Sequence, residues 1–381
     1  MKERAKSVRI LQAVGMMNRG GAETMLMTMF RHINRDEFEF IFLTHSDAVG
    51  AYDQEILNLG GKLHSIHSLG TLGYTGYFIS LRRFILNNGP FDVVHSHLDW
   101  QGGVIALAAK SAGVKKIIVH SHSSSWEKPN TFIYRLLHTF NRFLIVLCAD
   151  EGWACSREAG EFLFWKRFFR NGKYKKIPNA IDLDLYSKLT IDKANAMRRT
   201  FGIPAQMLVF GQVASFSWLK NQTYLIELAT ELKKKKWNFR IVFVGDGAMR
   251  QEVEDLASAR RVSSEILFLG LRDDIPECMN MFDALLLPSV FEGLGIVAIE
   301  AQAAGIPCLV SARVPQEVDM DLGLVHHLPL ESPDQWIASL ENVKGRRCFD
   351  RSRINNSITA RGYSIRESIG EIERLYRLTD A

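Results

Sequence analysis

Five cysteines in 381 residues, Cys148, Cys155, Cys278, Cys308 and Cys348, are too scattered to form a pattern. They make no CxxC pair and no Cys/His ligand spacing, so neither a disulfide framework nor a zinc site is implied, and a reducing, cytoplasmic setting is expected. The chain has no stretch of about 20 apolar residues, which removes a transmembrane helix from the expectations. The apolar run near Met1 is too short for a signal peptide and has no clear cleavage site. GxGxxG is missing, and no acid is placed to read a ribose after the second strand, which disfavours a nicotinamide enzyme. The formal charge of +5 is a mild basic bias that permits an anionic partner without naming one.

What is present is length and alternation. A chain of 381 residues exceeds one ordinary core, so two domains are expected. Strand-like runs at Ser7 to Val14, Phe38 to Thr44, Lys62 to Ile66, Val93 to His95, Lys116 to His120 and Glu151 to Cys155 alternate with helical stretches. That is the pattern of a mostly parallel, doubly wound α/β sheet. A proline-asparagine loop, Pro178 to Asp182, follows, and the architecture then repeats from Met207 onward.

The second half carries the most informative stretch, Asp283 to Ser311. It reads as a buried strand, a loop broken by Gly293 and Gly295, a helix from Ile296 to Ala304, and another strand. Glu292 lies in the loop at a strand's carboxyl end, and Glu300 is two helical turns further on. Carboxylates accept hydrogen bonds from hydroxyls, and helix N-terminal amides favour anions, so a sugar attached to a phosphate suits the pair. Two solvated acids on an amphipathic helix are the bland alternative. In the first half, histidines gather at strand ends: His95-Ser96-His97 and His120-Ser121-His122-Ser123-Ser124. One of them could bond a hydroxyl or phosphate. His-x-His also resembles a metal pair, but no carboxylate cluster or third histidine follows at helical spacing, and no metal is expected.

Phe162 to Lys176 alternates aromatics with six basic residues and has no acid. An amphipathic helix with its aromatics buried in the domain accounts for it, as does an interfacial helix on anionic lipid. Similar mixtures at Phe132 to Phe143 and Tyr77 to Phe84 favour a membrane surface over nucleic acid, which is not expected as a partner.

Taken together, the chain resembles the retaining glycosyltransferases of family 4. GGAE at Gly20 to Glu23, HSH at His120 to His122, PNAID at Pro178 to Asp182, VGDG at Val244 to Gly247, FLGLRDDI at Phe268 to Ile275 and the E-x7-E stretch at Pro288 to Pro307 follow in that family's order. The resemblance implies the GT-B fold: two facing doubly wound Rossmann-like domains with the active site in the cleft between them. Residues 1–183 would bind the acceptor, residues 184–360 the nucleotide-sugar, and residues 361–381 would form a helix packing back toward the first domain. It implies transfer of a sugar from a nucleotide diphosphate donor, expected to be UDP-linked, to a glycan acceptor expected to be lipid-linked, in capsule or exopolysaccharide assembly. The protein would be cytoplasmic and peripheral on the inner membrane face, with no cofactor.

By the same resemblance, His122, Lys220 and Glu292 carry the catalysis. Gly21, Ser215, Gly245, Arg272, Gly293, Leu294, Gly295, Ile296 and Glu300 join Lys220 and Glu292 around the donor, and Gly20, Gly21, His97 and His120 face the acceptor. One position departs from the pattern: the family usually places Arg five residues before the lysine, where this chain has Ser215. Losing a charge-assisted hydrogen bond costs about 1.5–3 kcal/mol. A degenerate GT-B protein that binds a nucleotide-sugar or a partner transferase without turnover is therefore the alternative. An epimerase or phosphorylase lacks its further signatures.

Overall fold

A computed structural model describes residues 7–123 and 132–377. The chain divides into two compact units, residues 1–181 with 365–381, and residues 182–364. The first holds seven strands: β1 (Val8–Ala13), β2 (Phe38–Thr44), β3 (Lys62–Ser65), β4 (Val93–Ser96), β5 (Lys116–Ser121), β6 (Glu151–Ala154) and β7 (Tyr174–Lys176). Their order in the sheet is β3-β2-β1-β4-β5-β6-β7, and every pairing is parallel. The second unit holds β8 (Leu208–Val213), β9 (Phe239–Val244), β10 (Ile266–Phe268), β11 (Ala284–Leu287), β12 (Cys308–Ser311) and β13 (Val325–Leu328). These are also all parallel, in the order β10-β9-β8-β11-β12-β13.

Parallel strands buried on both faces need apolar residues at consecutive positions. In β1, Leu11 and Ala13 pack on one face with the helices Leu69–Asn88, Gly102–Ser111 and Phe132–Cys148. Ile10 points to the other face, with Phe40, Phe42 and Trp153, under the helices Gly21–His32 and Ile365–Tyr376. The final helix belongs to this unit, and its Ile365 amide bonds the Ile181 carbonyl at 3.0 Å. In the second unit Leu285, Leu286 and Leu287 are all buried. Asp283, expected to open that strand, instead precedes it and ties it in place. Its Oδ2 accepts from the Val209 amide at 2.7 Å and from the buried Arg198 at 2.9 Å.

Three expectations are corrected. Phe162 to Lys176 is not one amphipathic helix: it comprises the end of the helix Arg157–Leu163, a five-residue helix Lys166–Arg170, and strand β7. Phe164 and Phe168 are buried and stack at 5.2 Å, so the aromatics serve the core while Lys166, Arg167 and Arg170 stay exposed. Second, β7 and β13 carry no apolar alternation of their own, and neither was expected as a strand. Third, the short helices Leu183–Ser187 and Ile275–Asn280 and the ten-residue helix Arg351–Ala360 were also missed. Ser124, the first six residues and the end of the last expected helix at Leu378 lie outside the described residues.

Candidate active site

Ligands of open parallel sheets bind at the carboxyl ends of the two strands where the order reverses. In the second unit these strands are β8 and β11. Lys220 sits in the loop after β8 and Glu292 in the loop after β11. The topology thus brings together residues 72 positions apart: Lys220 Nζ lies 2.7 Å from both Glu292 carboxylate oxygens. Glu292 is 8% exposed, and Ser289 Oγ donates to its Oε1 at 2.7 Å. The two loops are also fastened through the backbone. The Val290 amide bonds the Leu219 carbonyl at 2.8 Å, Asn221 Nδ2 bonds the Pro288 carbonyl at 3.1 Å, and Gln212 Nε2 holds the Lys220 carbonyl at 2.9 Å.

Gly295 precedes the helix Ile296–Ala303 with φ +83°, in the left-handed region, and no side chain caps the helix N-terminus. The Ala298 amide bonds the Gly295 carbonyl at 2.9 Å, and the Ile296 and Val297 amides are the first-turn groups left for an anion. Gly293 and the buried Leu294 form the bend leading to it. Gly245 follows β9 with φ +134°, and a Cβ there would lie 2.1 Å from the Ala214 carbonyl oxygen. The glycine turn therefore lies directly on the backbone beside Ser215, with the Phe216 amide bonding the Asp246 carbonyl at 3.0 Å. Ser215 is exposed, and its carbonyl is held by Gln222 Nε2 at 3.0 Å.

Glu300 accepts from the Tyr186 hydroxyl at 3.1 Å. Burial pushes its carboxyl up to about 7, against the opposing effect of that hydrogen bond. Burial, and then the facing Glu300 charge, raise the Tyr186 phenol well above its ordinary range. Arg272 is forked onto Asp274 at 2.8 and 2.6 Å, and its guanidinium lies 5.7 Å from the Phe201 ring centre. The Asp274 pairing raises the Arg272 pKa.

In the first unit the reversal falls between β1 and β4. Gly20 and Gly21 open the helix after β1, and no side chain caps it. His97 follows β4 and His122 follows β5. His95, His97 and His120 are buried, and with His122 they form a cluster of stacked and tilted rings. Burial, and then neighbouring histidines, hold His95, His97 and His120 well below the usual imidazole range. Burial takes His122 down to about 3. The third histidine missing from the helical spacing thus arrives from a neighbouring strand. Ligand atoms of His95, His97 and His120 lie within 4.8 Å of one another. They are engaged in hydrogen bonds: His95 with Tyr376 and His120 (2.7 and 3.3 Å), and His97 with Gln12 and His122 (2.9 and 3.0 Å).

The structure brings Lys220 to Glu292 and joins His97 and His120 to His122, whereas Glu300 bonds Tyr186 and Arg272 bonds Asp274. Sequence reasoning missed Tyr186, Ser289, Gln12 and Tyr376. Ser289 lies within the quoted Pro288 to Pro307 stretch and Tyr186 four residues after the Pro178 to Asp182 motif, so both could have been flagged by position. Gln12 and Tyr376, more than 360 residues apart, left no local signal.

Comparison with known proteins agrees with this arrangement. Residues 19–185 match the model of Glycosyltransferase Family 4, and residues 193–320 that of Glycosyl transferases group 1. The putative glycosyltransferase EpsF of Bacillus subtilis is 37% identical over 374 residues, covering 97% of both chains. The capsular polysaccharide biosynthesis glycosyltransferase CapH of Staphylococcus aureus is 27% identical, covering 77% of this chain and 78% of its own. Among solved structures, Anabaena HepE in complex with UDP and glucose superposes with a TM-score of 0.75 at 19% identity, over 97% of this chain and 99% of HepE. The fold is thus GT-B, with two Rossmann-like sheets of seven and six strands. The chain belongs to the family 4 glycosyltransferases.

Proposed function

We propose that this protein transfers a sugar, with retention, from a UDP-sugar to a lipid-linked glycan in capsule or exopolysaccharide assembly, at the cytoplasmic face of the membrane and without a metal. The carrying observation is the Lys220–Glu292 pair at the switch point of the second sheet, beside an uncapped helix N-terminus. An ammonium has three donors, and two point at Glu292, leaving the third for a diphosphate. With the Ile296 turn, it stabilises charge developing on the leaving group. Glu300 accepts from ribose hydroxyls, held in place by Tyr186. Arg272 lines the base pocket, and Glu292 contacts the donor sugar. The relatives support this choice of substrates: an Escherichia coli enzyme named UDP-Gal:alpha-D-GlcNAc-diphosphoundecaprenol alpha-1,3-galactosyltransferase is 25% identical over 77% of this chain and 76% of its own. UDP release should be seen with one member of a UDP-sugar panel and disappear in Glu300→Ala. No release and no thermal shift with any UDP-sugar would sink the donor assignment.

A second reading, binding without turnover, is favoured by Ser215, which is exposed and places no cation where the family has one. Ser215→Arg separates the two. A tenfold or larger rise in turnover marks a weakened enzyme, and unchanged binding with no turnover in either protein marks a binding module.

The helix Phe132–Cys148 supports the membrane placement. Ile133, Leu136, Phe140, Phe143 and Leu147 are all exposed, and the helix has no acid. Arg142 of this helix binds the Leu163 and Phe164 carbonyls, two residues before the run of exposed cations Lys166, Arg167 and Arg170 begins. Apolar residues flanked by cations suit an anionic bilayer surface. Leu136→Asp with Phe140→Asp should abolish sedimentation with anionic vesicles, and equal sedimentation would remove this surface from the proposal.

A further inference from the structure

Six side chains of the first unit form two hydrogen-bonded chains that start from one pair. Gln12 Nε2 donates to the Tyr376 hydroxyl at 3.2 Å. From Tyr376, one chain runs to His95 Nδ1 at 2.7 Å and from His95 Nε2 to His120 Nδ1 at 3.3 Å. From Gln12 Oε1, the other runs to His97 Nε2 at 2.9 Å and from His97 Nδ1 to His122 Nε2 at 3.0 Å. Each chain ends on a buried nitrogen that has no hydrogen-bond partner among the described residues, His120 Nε2 and His122 Nδ1.

A neutral imidazole has one N–H and one lone pair, and an amide oxygen only accepts. With the Tyr376 hydroxyl proton used within the network, these rules fix every proton. Tyr376 accepts from Gln12 and must donate to His95 Nδ1, so His95 is protonated on Nε2 and donates to His120 Nδ1. His120 then has its proton on Nε2. On the other branch, Gln12 Oε1 accepts from His97 Nε2–H. His97 Nδ1 is therefore a lone pair that accepts from His122 Nε2–H, and His122 Nδ1 is left as a lone pair.

We infer that Gln12 and Tyr376 lock all four histidines into the Nε2–H form, so that His122 presents Nδ1 as a hydrogen-bond acceptor while His120 ends in an N–H. Rotating the Gln12 amide is the single alternative, and it moves all four protons to Nδ1 together. A mixed pattern would set two donors or two lone pairs against each other between side chains packed at hydrogen-bond distance. Gln12 and Tyr376 are positioning residues. Tyr376 stands on the last helix, so the helix that closes the chain sets the hydrogen-bonding character of a loop residue 254 positions earlier. The consequence for the ligand rests on the transferase reading: His122 would accept from a neutral sugar hydroxyl rather than donate a proton.

The test is long-range 1H–15N correlation on the full chain labelled with 15N-histidine. Four histidines, identified by single His→Asn variants, should each show a protonated Nε2 and an unprotonated Nδ1 at pH 7. In Tyr376→Phe, which keeps the ring, His95 and His120 should shift to averaged nitrogen frequencies. In Gln12→Leu, His97 and His122 should do so. A mixed set in the wild type, four Nδ1–H forms, or two variants that leave the pattern unchanged would each overturn the inference. The complete Nε2–H pattern in a protein that turns over no UDP-sugar would uphold the lock and remove only the transferase reading.

Discussion

The two sheets share a topology and differ in what they place at the point where strand order reverses. The second unit sets a lysine against a glutamate there and leaves a helix N-terminus open, an arrangement of formal charges suited to an anion and a polyol. The first unit sets imidazoles there that burial holds in the neutral form, and the adjacent acid, Asp99, bonds the His122 amide at 2.7 Å rather than a ring. One Rossmann-type frame thus supports opposite electrostatics, because the second unit draws its groups from the loops after the strands, whereas the first adds His95, His120 and Gln12 from the strand ends themselves.

The largest test of this contrast is Lys220→Met. Removing a preorganised cation from a developing charge costs about 10²–10³ in turnover. The same change leaves the buried Glu292 without its partner, and about 3 kcal/mol of stability should be lost in chemical unfolding. Lys220→Met with Glu292→Gln should recover the stability and none of the turnover. Recovery of both would mean that the pair is structural.

The glycine loops extend the comparison. Gly245→Ala drives a Cβ into the Ala214 carbonyl at a φ of +134°, and should destabilise the second unit by several kcal/mol, at least the ~1–3 kcal/mol of a strained backbone. Gly21→Ala meets nothing within 4 Å and lies at the first position of a helix. Its stability should change by no more than about 1 kcal/mol, toward greater stability. Thermal unfolding of both variants checks the asymmetry, and a loss of transfer in Gly21→Ala with stability intact would mark a substrate loop.

The remaining test is in pH. Histidines held below their unfolded value of about 6.5 are neutral when folded, so acidification protonates the unfolded chain first. The stability they contribute is present above about pH 6.5 and falls as the pH drops toward the depressed folded values, by about 1.4 kcal/mol per pH unit for each such histidine. Glu300 has the opposite sign. Its folded pKa of about 7 lies above the ordinary carboxylate value of 4.5, so its contribution is present below 4.5 and is lost as pH rises through 7. Glu300→Gln should flatten the unfolding free energy over that interval and leave the acid limb unchanged. If the acid limb vanished as well, the first unit's histidines would not be its source.

Much of this was legible in the sequence because it is local. Consecutive apolar residues such as Leu285 to Leu287 mark buried parallel strands, and Gly295 before an apolar helix marks a loop that a side chain would strain. Phe162 to Lys176 misled because aromatic-basic alternation says nothing about where a helix ends. There the burial of Phe164 and Phe168 and the pairing of β7 with β6 overruled the helical periodicity. The exposed apolar stripe was instead on Phe132–Cys148, where the same mixture continues for four turns.

The sequence alone determined the two α/β halves, the loops that carry Lys220 and Glu292, the helix that carries Glu300, and the unusual Ser215, since each depends on residue type and short spacing. Tertiary structure alone decided how those groups are paired. Parallel crossovers bring together loops far apart in sequence, so Tyr186 reaches Glu300, Lys220 reaches Glu292, and the last helix brings Tyr376 to Gln12 and His95. Hydrogen bonds act over about 3 Å of space and carry no trace of the chain length between partners.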